Sequence, residues 1–411
     1  MSGNGLPKIS TLGSICCGCG ACSAKCPKSC IVMKPRAGGF LYPEINARTC
    51  IGCGACDSVC PAIGYATCDP AISVYWAKSR DSEERNASSS GGMFALFAHD
   101  TLNAGGVVVG AGWNPDYKSV SHVLIEDERR LDVIMRSKYV QSDVDREVYD
   151  GVRNALLGGR RVLFVGTACQ VGGMRAYLGK LAESKGFLAI DVVCHGVPSP
   201  ALWEKWSDYK ERTAQASLCN VNMRSKKTGW VSYSTEYVYA HSVEKSGASS
   251  IVTQSDSCVF KEDWYMRAFL ANLCLRPSCH ACPVKRSCGS DVTLGDFWGV
   301  QSAHPKVDRE GGVSAVICNT EKGVSAFNAL RLHVDWGESS FDSVLLGNPC
   351  MTKSAPICPD REQFMCDLED GADIEAMMDK YPCEPGVWQK LRGKLSVIKR
   401  RAIDGLGIIR G

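Results

Sequence analysis

The sequence lacks the features that would place the protein in a membrane, in the secretory pathway or on a nucleic acid. It has no apolar run of about 18 residues, and its first ten residues, MSGNGLPKIS, lack the apolar stretch of a secretory signal. Its 47 basic and 44 acidic side chains leave a net charge of only +3, which is too balanced to indicate nucleic-acid binding. We therefore expect a cytoplasmic protein with no nucleic-acid partner.

Cysteine is the one residue type that is unusually abundant. The chain has 411 residues, of which 45% are hydrophobic and 22% charged, as in ordinary globular proteins of two or three domains. It also has 24 cysteines, which in a reducing compartment are metal ligands or redox groups more often than disulfides. Eleven of them fall in residues 1–68, and none lies between Cys68 and Cys169. A cysteine-dense module therefore precedes a larger body.

The cysteine-dense module contains the same spacing twice. Each copy reads Cys-x2-Cys-x2-Cys-x3-Cys-Pro, beginning at Cys16 and at Cys50. The spacing resembles that of bacterial ferredoxins with two [4Fe-4S] clusters, in which the fourth cysteine of each copy ligates the other cluster. The predicted ligand sets are Cys16, Cys19, Cys22 with Cys60, and Cys50, Cys53, Cys56 with Cys26. Zinc or disulfides are the alternative, which the doubled spacing followed by proline disfavours. Cys17, Cys30 and Cys68 lie outside the pattern and are expected to be small buried residues.

A serine- and glycine-rich turn opens the body. Residues 88–92, SSSGG, precede an apolar pattern that runs to about Asn103 and predicts a helix with a serine N-cap; a strand is predicted from Val107. Free backbone N–H groups without side-chain bulk suit a phosphate, yet most capped helices bind nothing, so both interpretations stay open.

The segment 161–194 has the pattern of a βαβ unit. Short apolar strands are predicted at 161–165 and 187–193, with a loop at 166–170 and a helix at 171–178 between them. Ligands of parallel sheets collect at the carboxyl ends of the strands. Two polar loops, Gly166 to Gln170 and Cys194 to Gly196, are therefore expected side by side, although Cys169 can also be only a small buried residue.

A third group of cysteines follows as Cys274-x4-Cys279-x2-Cys282, with Cys288 beyond it. Three thiolates in nine residues can hold most of another iron–sulfur cluster or a zinc ion, with Cys194 as the fourth ligand. Thiols without a ligand role are the remaining alternative.

Several motifs together resemble the beta-subunit family of coenzyme F-420 hydrogenases and dehydrogenases, over roughly residues 12–345. Besides the ferredoxin repeat they are SSSGG at 88–92, SKYVQS at 137–142, VLFVGTACQV at 162–171, CHGVPSP at 194–200, RSKKTGW at 224–230, CLRPSCHACPVK at 274–285 and SDVTLGDFWG at 290–299. The resemblance implies FAD in an α/β body and electron relay between iron–sulfur clusters and a hydride carrier, which is a deazaflavin coenzyme in archaeal members. Plant and cyanobacterial relatives reduce a chlorophyll derivative.

The resemblance also implies which residues bind FAD. They are Ser89, Ser90, Gly91, Gly92, Ser137, Lys138, Tyr139, Gly166, Thr167, Cys169 and Gln170. Lys138 is suited to neutralise a pyrophosphate, and Gln170 to bond the edge of a ring. The chain departs from the family at Ala168, where proline is usual, and at Cys288, which is not a fixed family feature. The second departure leaves the ligands of the third metal site open.

His195 has two interpretations. It is suited to donate to a flavin ring or to act near the hydride path, since the pKa of histidine lies near neutrality. A histidine at a strand end is equally suited to bond only the protein.

The predicted fold is an α+β ferredoxin-like module followed by an α/β body with a partly parallel sheet. The expected domains are 1–70 with two [4Fe-4S] clusters, 75–345 with FAD, and a C-terminal extension at 346–411.

The predicted function is that of a flavin-dependent iron–sulfur oxidoreductase. It is expected to work with a hydride carrier and with a redox partner protein, which is either a ferredoxin or another member of a redox complex. The alternatives are a non-catalytic electron-transfer subunit and a zinc-loaded binding protein. The oligomeric state stays open, a homo-oligomer included.

The C-terminal segment predicts a basic amphipathic helix from Val387. Residues 386–411 hold seven Lys or Arg against one Asp, and apolar residues recur at helical spacing from Trp388 to Ala402. Such a helix either packs on the body or docks on an anionic membrane surface or an acidic partner protein.

Overall fold

The computed structural model describes residues 5–64, 71–245, 248–285 and 287–383. Cys68 and the predicted basic helix from Val387 lie outside these residues. Within them, every helix is too short or too polar to cross a membrane.

The N-terminal module consists of two short helices and a two-stranded hairpin. Its elements are α1 (Ala21–Lys25), β1 (Ile31–Pro35), β2 (Leu41–Ile45) and α2 (Ala55–Ser58). Each helix begins after a glycine in the left-handed region, Gly20 with φ 80° and Gly54 with φ 72°, where a side chain would be strained. A Cβ on Gly20 would also lie 2.3 Å from the carbonyl oxygen of Val144. The module therefore packs directly on the backbone of the body.

A nine-stranded sheet forms the centre of the body. Its strands are β3 (Ser73–Ser79), β4 (Val107–Trp113), β5 (Val120–Ile125), β6 (Ser142–Asp143), β7 (Val162–Thr167), β8 (Phe187–Val192), β12 (Val292–Asp296), β13 (Ser314–Cys318) and β14 (Val334–Glu338). Their order is β14-β3-β13-β12-β8-β7-β4-β5-β6. The central neighbours β12, β8, β7 and β4 run parallel, whereas β13, β3, β14 and β5 each pair antiparallel with a neighbour. The predicted partly parallel sheet is thus confirmed.

Helices cover this sheet on both faces, which is why its central strands are continuous apolar runs. The helices of the body are α3 (Ser82–Ala87), α4 (Met93–Asn103), α5 (Arg146–Leu157), α6 (Ala168–Leu178), α7 (Pro200–Ala214), α8 (Trp264–Leu270), α9 (Val300–Ala303), α10 (Glu321–Leu330), α11 (Phe341–Gly347), α12 (Arg361–Glu369) and α13 (Ile374–Lys380). Buried residues on β4 and β7 pack with α5 and α6 on one side and with α4 and α10 on the other.

A second, antiparallel sheet packs against α7 and α8. It consists of β9 (Ser217–Ser225), β10 (Ser234–Lys245) and β11 (Ala248–Val259) in the order β11-β10-β9. Large aromatic side chains fill this second core, among them Trp203, Trp264 and Tyr237. This core extends to α12 and α13, so the described part of the region after residue 345 packs on the body.

Two helix starts differ from the sequence prediction. Helix α4 follows Gly92, which is in the left-handed region at φ 88°, and no serine side chain caps it. The preceding serines instead follow the short helix α3, which the sequence pattern did not indicate. Helix α6 begins at Ala168 rather than 171, because Thr167 and Gln170 form a capping box around its first turn.

Candidate functional site

The first cysteine group lies at the contact between the N-terminal module and the body. A small cavity there is lined by Cys16, Cys19, Cys22 and Cys60, the four residues predicted to share a cluster. The Gly18 N–H donates to Cys16 Sγ at 3.4 Å. An N–H donated to sulfur stabilises a thiolate, which is the form that ligates iron.

The second cysteine group lies farther out on the module. Its cavity is lined by Cys26, Cys50, Cys53 and Cys56, again the predicted set. The Cys30 N–H donates to Cys26 Sγ at 3.4 Å, and the Cys53 side chain is exposed. Both groups therefore combine four thiols with an N–H donor, and they fit [4Fe-4S] clusters.

A third group of cysteines surrounds a larger cavity of about 280 Å³ at the carboxyl ends of β7 and β8. Seven cysteines line it: Cys17, Cys169, Cys194, Cys279, Cys282, Cys288 and Cys350. Cys274 does not line this cavity, because its side chain is fully buried in the aromatic core beside α8. The structure thus brings together three of the four residues predicted for the third metal site, and it adds Cys169.

The thiols of this cavity differ in their acidity. Burial raises the pKa of Cys279 to about 12 and also raises the pKa of Cys194 and Cys282. The pKa of Cys169 is instead lowered, first by a hydrogen bond from the Cys17 thiol, against the opposing effect of burial. Cys169 therefore loses its proton more readily than Cys194, Cys279 or Cys282.

Backbone and cationic groups support the same cavity. The Val197 N–H donates to Cys279 Sγ at 3.4 Å, repeating the contact seen at Cys16 and Cys26. Lys285 Nζ donates to the carbonyl oxygens of Cys194 at 3.0 Å and Cys350 at 2.6 Å, which fixes a positive charge beside the thiols. These contacts suit a negatively charged group bound by several thiolates. Within the described ranges, no three His, Cys, Asp or Glu side chains form a site for a single metal ion.

A polar network forms part of the cavity wall. The Asp191 carboxylate accepts hydrogen bonds from Ser290 Oγ at 2.7 Å and Thr293 Oγ1 at 2.6 Å, and Asn319 donates to both hydroxyls. Burial raises the pKa of Asp191 to about 6, although the hydroxyl donors oppose the rise. Asp191 can therefore hold a proton beside the cavity at mildly acidic pH.

The raised pKa of Asp191 predicts a pH dependence of stability. An unfolded aspartate titrates near pH ~3.9, so between about pH 4 and 6 the folded protein binds the extra proton, and stability falls as the pH rises. The loss should be at most about 1.4 kcal/mol per pH unit in this window. Thermal unfolding at several pH values should show the slope in the wild type and less of it in Asp191→Asn. The exposed carboxylate variant Asp342→Asn should keep the slope, and an equal slope in Asp191→Asn would refute the assignment.

Three of the residues predicted to bind FAD, Ser137, Lys138 and Tyr139, lie on one segment, 137–142. At its start, the Ser137 N–H and hydroxyl both donate to Ser89 Oγ, at 3.0 and 3.1 Å. Near its end, Gln141 Nε2 contacts the Cys17 carbonyl oxygen at 3.4 Å, and Gln170 donates to Ser142 Oγ at 2.8 Å. The segment therefore connects the Ser-Gly turn to the first cysteine group and to helix α6.

Arg224 lies beside this segment and contacts Tyr139, and no ligand role was predicted for it from the sequence. Its guanidinium pairs with Asp296 through two N–H groups, at 3.0 and 3.2 Å, and contacts Tyr139 Oη at 3.3 Å. It also donates to the Ser89 carbonyl oxygen at 3.4 Å. Arg224 Nε is buried and has no partner among the described residues, so an acceptor on a bound molecule would complete its hydrogen bonds.

Several predicted FAD ligands are engaged inside the protein. Lys138 Nζ donates to the carbonyl oxygens of Val133 and Met135, and burial lowers its pKa to about 7. Gln170 Oε1 accepts from the Thr167 N–H and hydroxyl. A Cβ on Gly91 would lie 2.5 Å from the Ala77 carbonyl oxygen, so packing already requires this glycine. Pyrophosphate binding by Lys138 and ring-edge bonding by Gln170 stay predictions.

The remaining predicted FAD residues also occupy defined positions. Ser90 Oγ donates to the Val313 carbonyl oxygen, and Gly92 precedes α4. Gly166 ends the buried part of β7, close to Gln170, while Thr167 and Cys169 line the large cavity. The carboxyl ends of β7 and β8 are thus side by side, as the βαβ pattern predicted, but residues 168–170 form the first turn of α6 rather than a loop.

His195 lines the large cavity and is linked through Phe269 to Tyr139 in the segment 137–142. Its Nε2 is 2.6 Å from Asn272 Oδ1, so Nε2 is the donor and carries the proton of the neutral ring. Its ring contacts Phe269 edge to face at 5.4 Å, and Phe269 stacks on Tyr139 at 5.0 Å. Burial lowers the pKa of His195, which favours the neutral form. Its role in catalysis stays a prediction.

The comparisons with known proteins identify the two parts of the chain. Residues 159–335 match the family model for the C terminus of the beta subunit of coenzyme F420 hydrogenase/dehydrogenase, and residues 15–63 match that of the 4Fe-4S dicluster domain. No curated protein matches the chain. One similar solved structure is a chain of the xenon-derivatised F420-reducing [NiFe] hydrogenase complex from Methanosarcina barkeri. It has 15% identity and a TM-score of 0.41, and the match covers 77% of this chain and 94% of that chain. The chain therefore contains a region that matches the 4Fe-4S dicluster domain, followed by a region that matches the C terminus of the coenzyme F420 hydrogenase/dehydrogenase beta subunit.

Proposed function

We propose that the protein is a flavin-dependent iron–sulfur oxidoreductase that passes electrons between its clusters and a two-electron carrier of the deazaflavin type. The observation that carries this proposal is the continuity of the cysteine-lined cavities. Cys17 lines both the cavity of the first cysteine group and the large cavity at the strand ends. Electrons entering at the dicluster domain thus have a short path through the buried interface to the strand ends of the body.

The large cavity is proposed to bind a third [4Fe-4S] cluster through Cys169, Cys194, Cys279 and Cys282. Cys194 and Cys169 follow the ends of β8 and β7, and the other two lie on and just after the short 3-10 helix at Pro277–Ala281. The Val197 N–H at Cys279 and the nearby Lys285 ammonium favour bound thiolates. Cys169 takes the place of Cys274, which was predicted from the sequence, because Cys274 lies in the aromatic core and not at the cavity wall.

The flavin is proposed to bind along the segment 137–142 and the Ser-Gly turn, with Arg224 supplying a positive charge. The unpartnered Arg224 Nε supports an acceptor there, and phosphate or a ring carbonyl has that chemistry. A bound flavin supplies the exchange between a hydride and two single electrons. His195, Tyr139 and Phe269 connect this region to the cysteine-lined cavity. His195 Nε2 donates to Asn272 Oδ1, and Asp191 can hold a proton at the cavity wall at mildly acidic pH.

The flavin and iron content of the purified protein is the first test of this function. Anaerobically purified protein should be yellow-brown, contain FAD and carry about eight to twelve iron atoms for two or three cubane clusters. Absorbance of the released flavin and colorimetric iron analysis measure both. Iron with no flavin would reject the oxidoreductase proposal while leaving the dicluster domain intact. Zinc without iron would instead favour the zinc-loaded binding protein.

A second candidate function is that of a non-catalytic electron-transfer subunit in the cytoplasm. The exposed Cys53 favours it, because one cluster site then lies at the surface where a redox partner protein can dock. The isolated chain should be mixed with reduced deazaflavin, NADH or reduced ferredoxin, and reduction of a dye should be followed. Dye reduction with a hydride donor requires the two-electron chemistry of the oxidoreductase. Reduction with ferredoxin alone would fit the electron-transfer subunit.

A further inference from the structure

Arg276 is a fully buried arginine at the contact between the dicluster domain and the body. Its relative exposure is 0%, and three of its N–H groups are donated to neutral acceptors. Nε donates to the Cys16 carbonyl oxygen at 2.8 Å, and the two terminal nitrogens donate to Gln141 Oε1 and the Leu41 carbonyl oxygen, each at 2.9 Å. The guanidinium also lies over the Tyr42 ring, 4.2 Å from its centroid.

This buried cation has no carboxylate partner among the described residues. Seventeen ion pairs occur in this part of the protein, and Arg276 is in none of them. An arginine keeps its charge when it is buried. Burying a charge without a counter-charge lowers the stability of the fold by roughly several kcal/mol. The fold therefore retains an arrangement that is costly unless an anion binds nearby.

Arg276 lies beside the backbone of the first cysteine group. Its Nε donates to the Cys16 carbonyl oxygen, and a Cβ on Gly18 would lie 2.7 Å from its Nη1. Arg276 also lines the large cavity. A cubane held by four thiolates is a net anion, and its negative charge increases on reduction.

We propose that Arg276 is the counter-charge of the cluster held by Cys16, Cys19, Cys22 and Cys60 and raises its reduction potential. A fixed buried cation stabilises the reduced cluster more than the oxidised one, since the added electron increases the attraction in a low-dielectric site. The cluster nearer the cavity then becomes the preferred electron acceptor of the dicluster domain. The proposal depends on the two dicluster iron–sulfur clusters and does not require the flavin.

The test is an EPR-monitored redox titration of the holoprotein and of three variants. Arg276→Gln removes the charge, and Arg276→Lys keeps it. Arg146→Gln is the matched control, because the half-buried Arg146 donates to the carbonyl oxygens of Ser23 and Cys26 near the second cysteine group. Iron content is measured on every variant, so that cluster loss is separated from a shift in potential.

In Arg276→Gln, we expect reduction of one cluster to become at least tenfold less favourable, which is about 59 mV for a one-electron couple. Arg276→Lys and Arg146→Gln should stay within a few-fold of the wild type. Loss of about four iron atoms in Arg276→Gln alone, with Arg276→Lys fully loaded, would also support a required counter-charge.

Three results would overturn the proposal. They are unchanged potentials in fully loaded Arg276→Gln, equal shifts in Arg276→Gln and Arg146→Gln, and equal cluster loss in Arg276→Gln and Arg276→Lys. The last result would show that the shape of the guanidinium, rather than its charge, is needed. Absence of flavin from the preparation would affect none of these readings.

Discussion

Cys279→Ser should remove about four iron atoms from the protein while leaving the two clusters of the dicluster domain in place. Cys279 Sγ accepts a backbone N–H and lies in the wall of the large cavity, which the three other thiols of the proposed ligand set also line. A serine hydroxyl is a much poorer ligand for iron than a thiolate, so the third cluster should not assemble. Iron analysis and the EPR spectrum of the reduced protein measure the change.

Cys274→Ala is the matched control for this prediction. Cys274 belongs to the same short sequence motif, but its side chain is fully buried beside Trp264 and Phe269. The variant should keep its full iron content and should change only in stability. Iron loss in Cys274→Ala with full iron in Cys279→Ser would reverse the proposed assignment. Full iron in both variants would show that these thiols are structural.

The contrast between Cys274 and Cys169 shows how far spacing alone predicts a site. The ligand sets of the dicluster domain follow from spacing, because three cysteines of each set lie within one short loop that can bend around one cluster. The third group depends on how β7, β8 and the turn at Pro277–Ala281 meet in the folded body. Spacing grouped Cys274 with its neighbours in sequence, whereas the aromatic core around α8 buries it elsewhere.

The body sheet was predictable for a related reason. Apolar runs such as Val107–Val109 and the βαβ pattern at 161–194 indicate buried parallel strands, and β4, β7 and β8 are buried and parallel. The same patterns contain no information on which charges meet across the fold. Arg224 and Asp296 are 72 residues apart, and Arg276 and Cys16 are 260 apart. Both arginines lie in motifs that the sequence shows, but the sequence does not predict which residues they contact.

Asp296→Ala should destabilise the protein by about 3–5 kcal/mol, because it leaves the buried Arg224 without its counter-charge. Arg224 is 5% exposed and Asp296 15% exposed, and Asp296 also accepts from Trp230 Nε1 at 2.7 Å. Burial alone would lower the pKa of Arg224, and the Asp296 carboxylate instead raises it, which shows how closely the two charges are coupled. Denaturant unfolding followed by tryptophan fluorescence measures the loss.

Asp335→Ala is the control, since it breaks an ion pair of similar length with Arg80 at the surface. Both partners are at least half exposed, so solvent screens the pair and its loss should cost about 0–1 kcal/mol.

The double variant Arg224→Met/Asp296→Ala separates charge from packing. It should recover part of the loss, because removing both charges leaves no unpaired cation in the core. A single Asp296→Ala variant as stable as Asp335→Ala would mean that Arg224 finds water or another acceptor in the free protein. The Arg224 centre would then be open to solvent, and the charge that we assign to flavin binding would have to come from elsewhere.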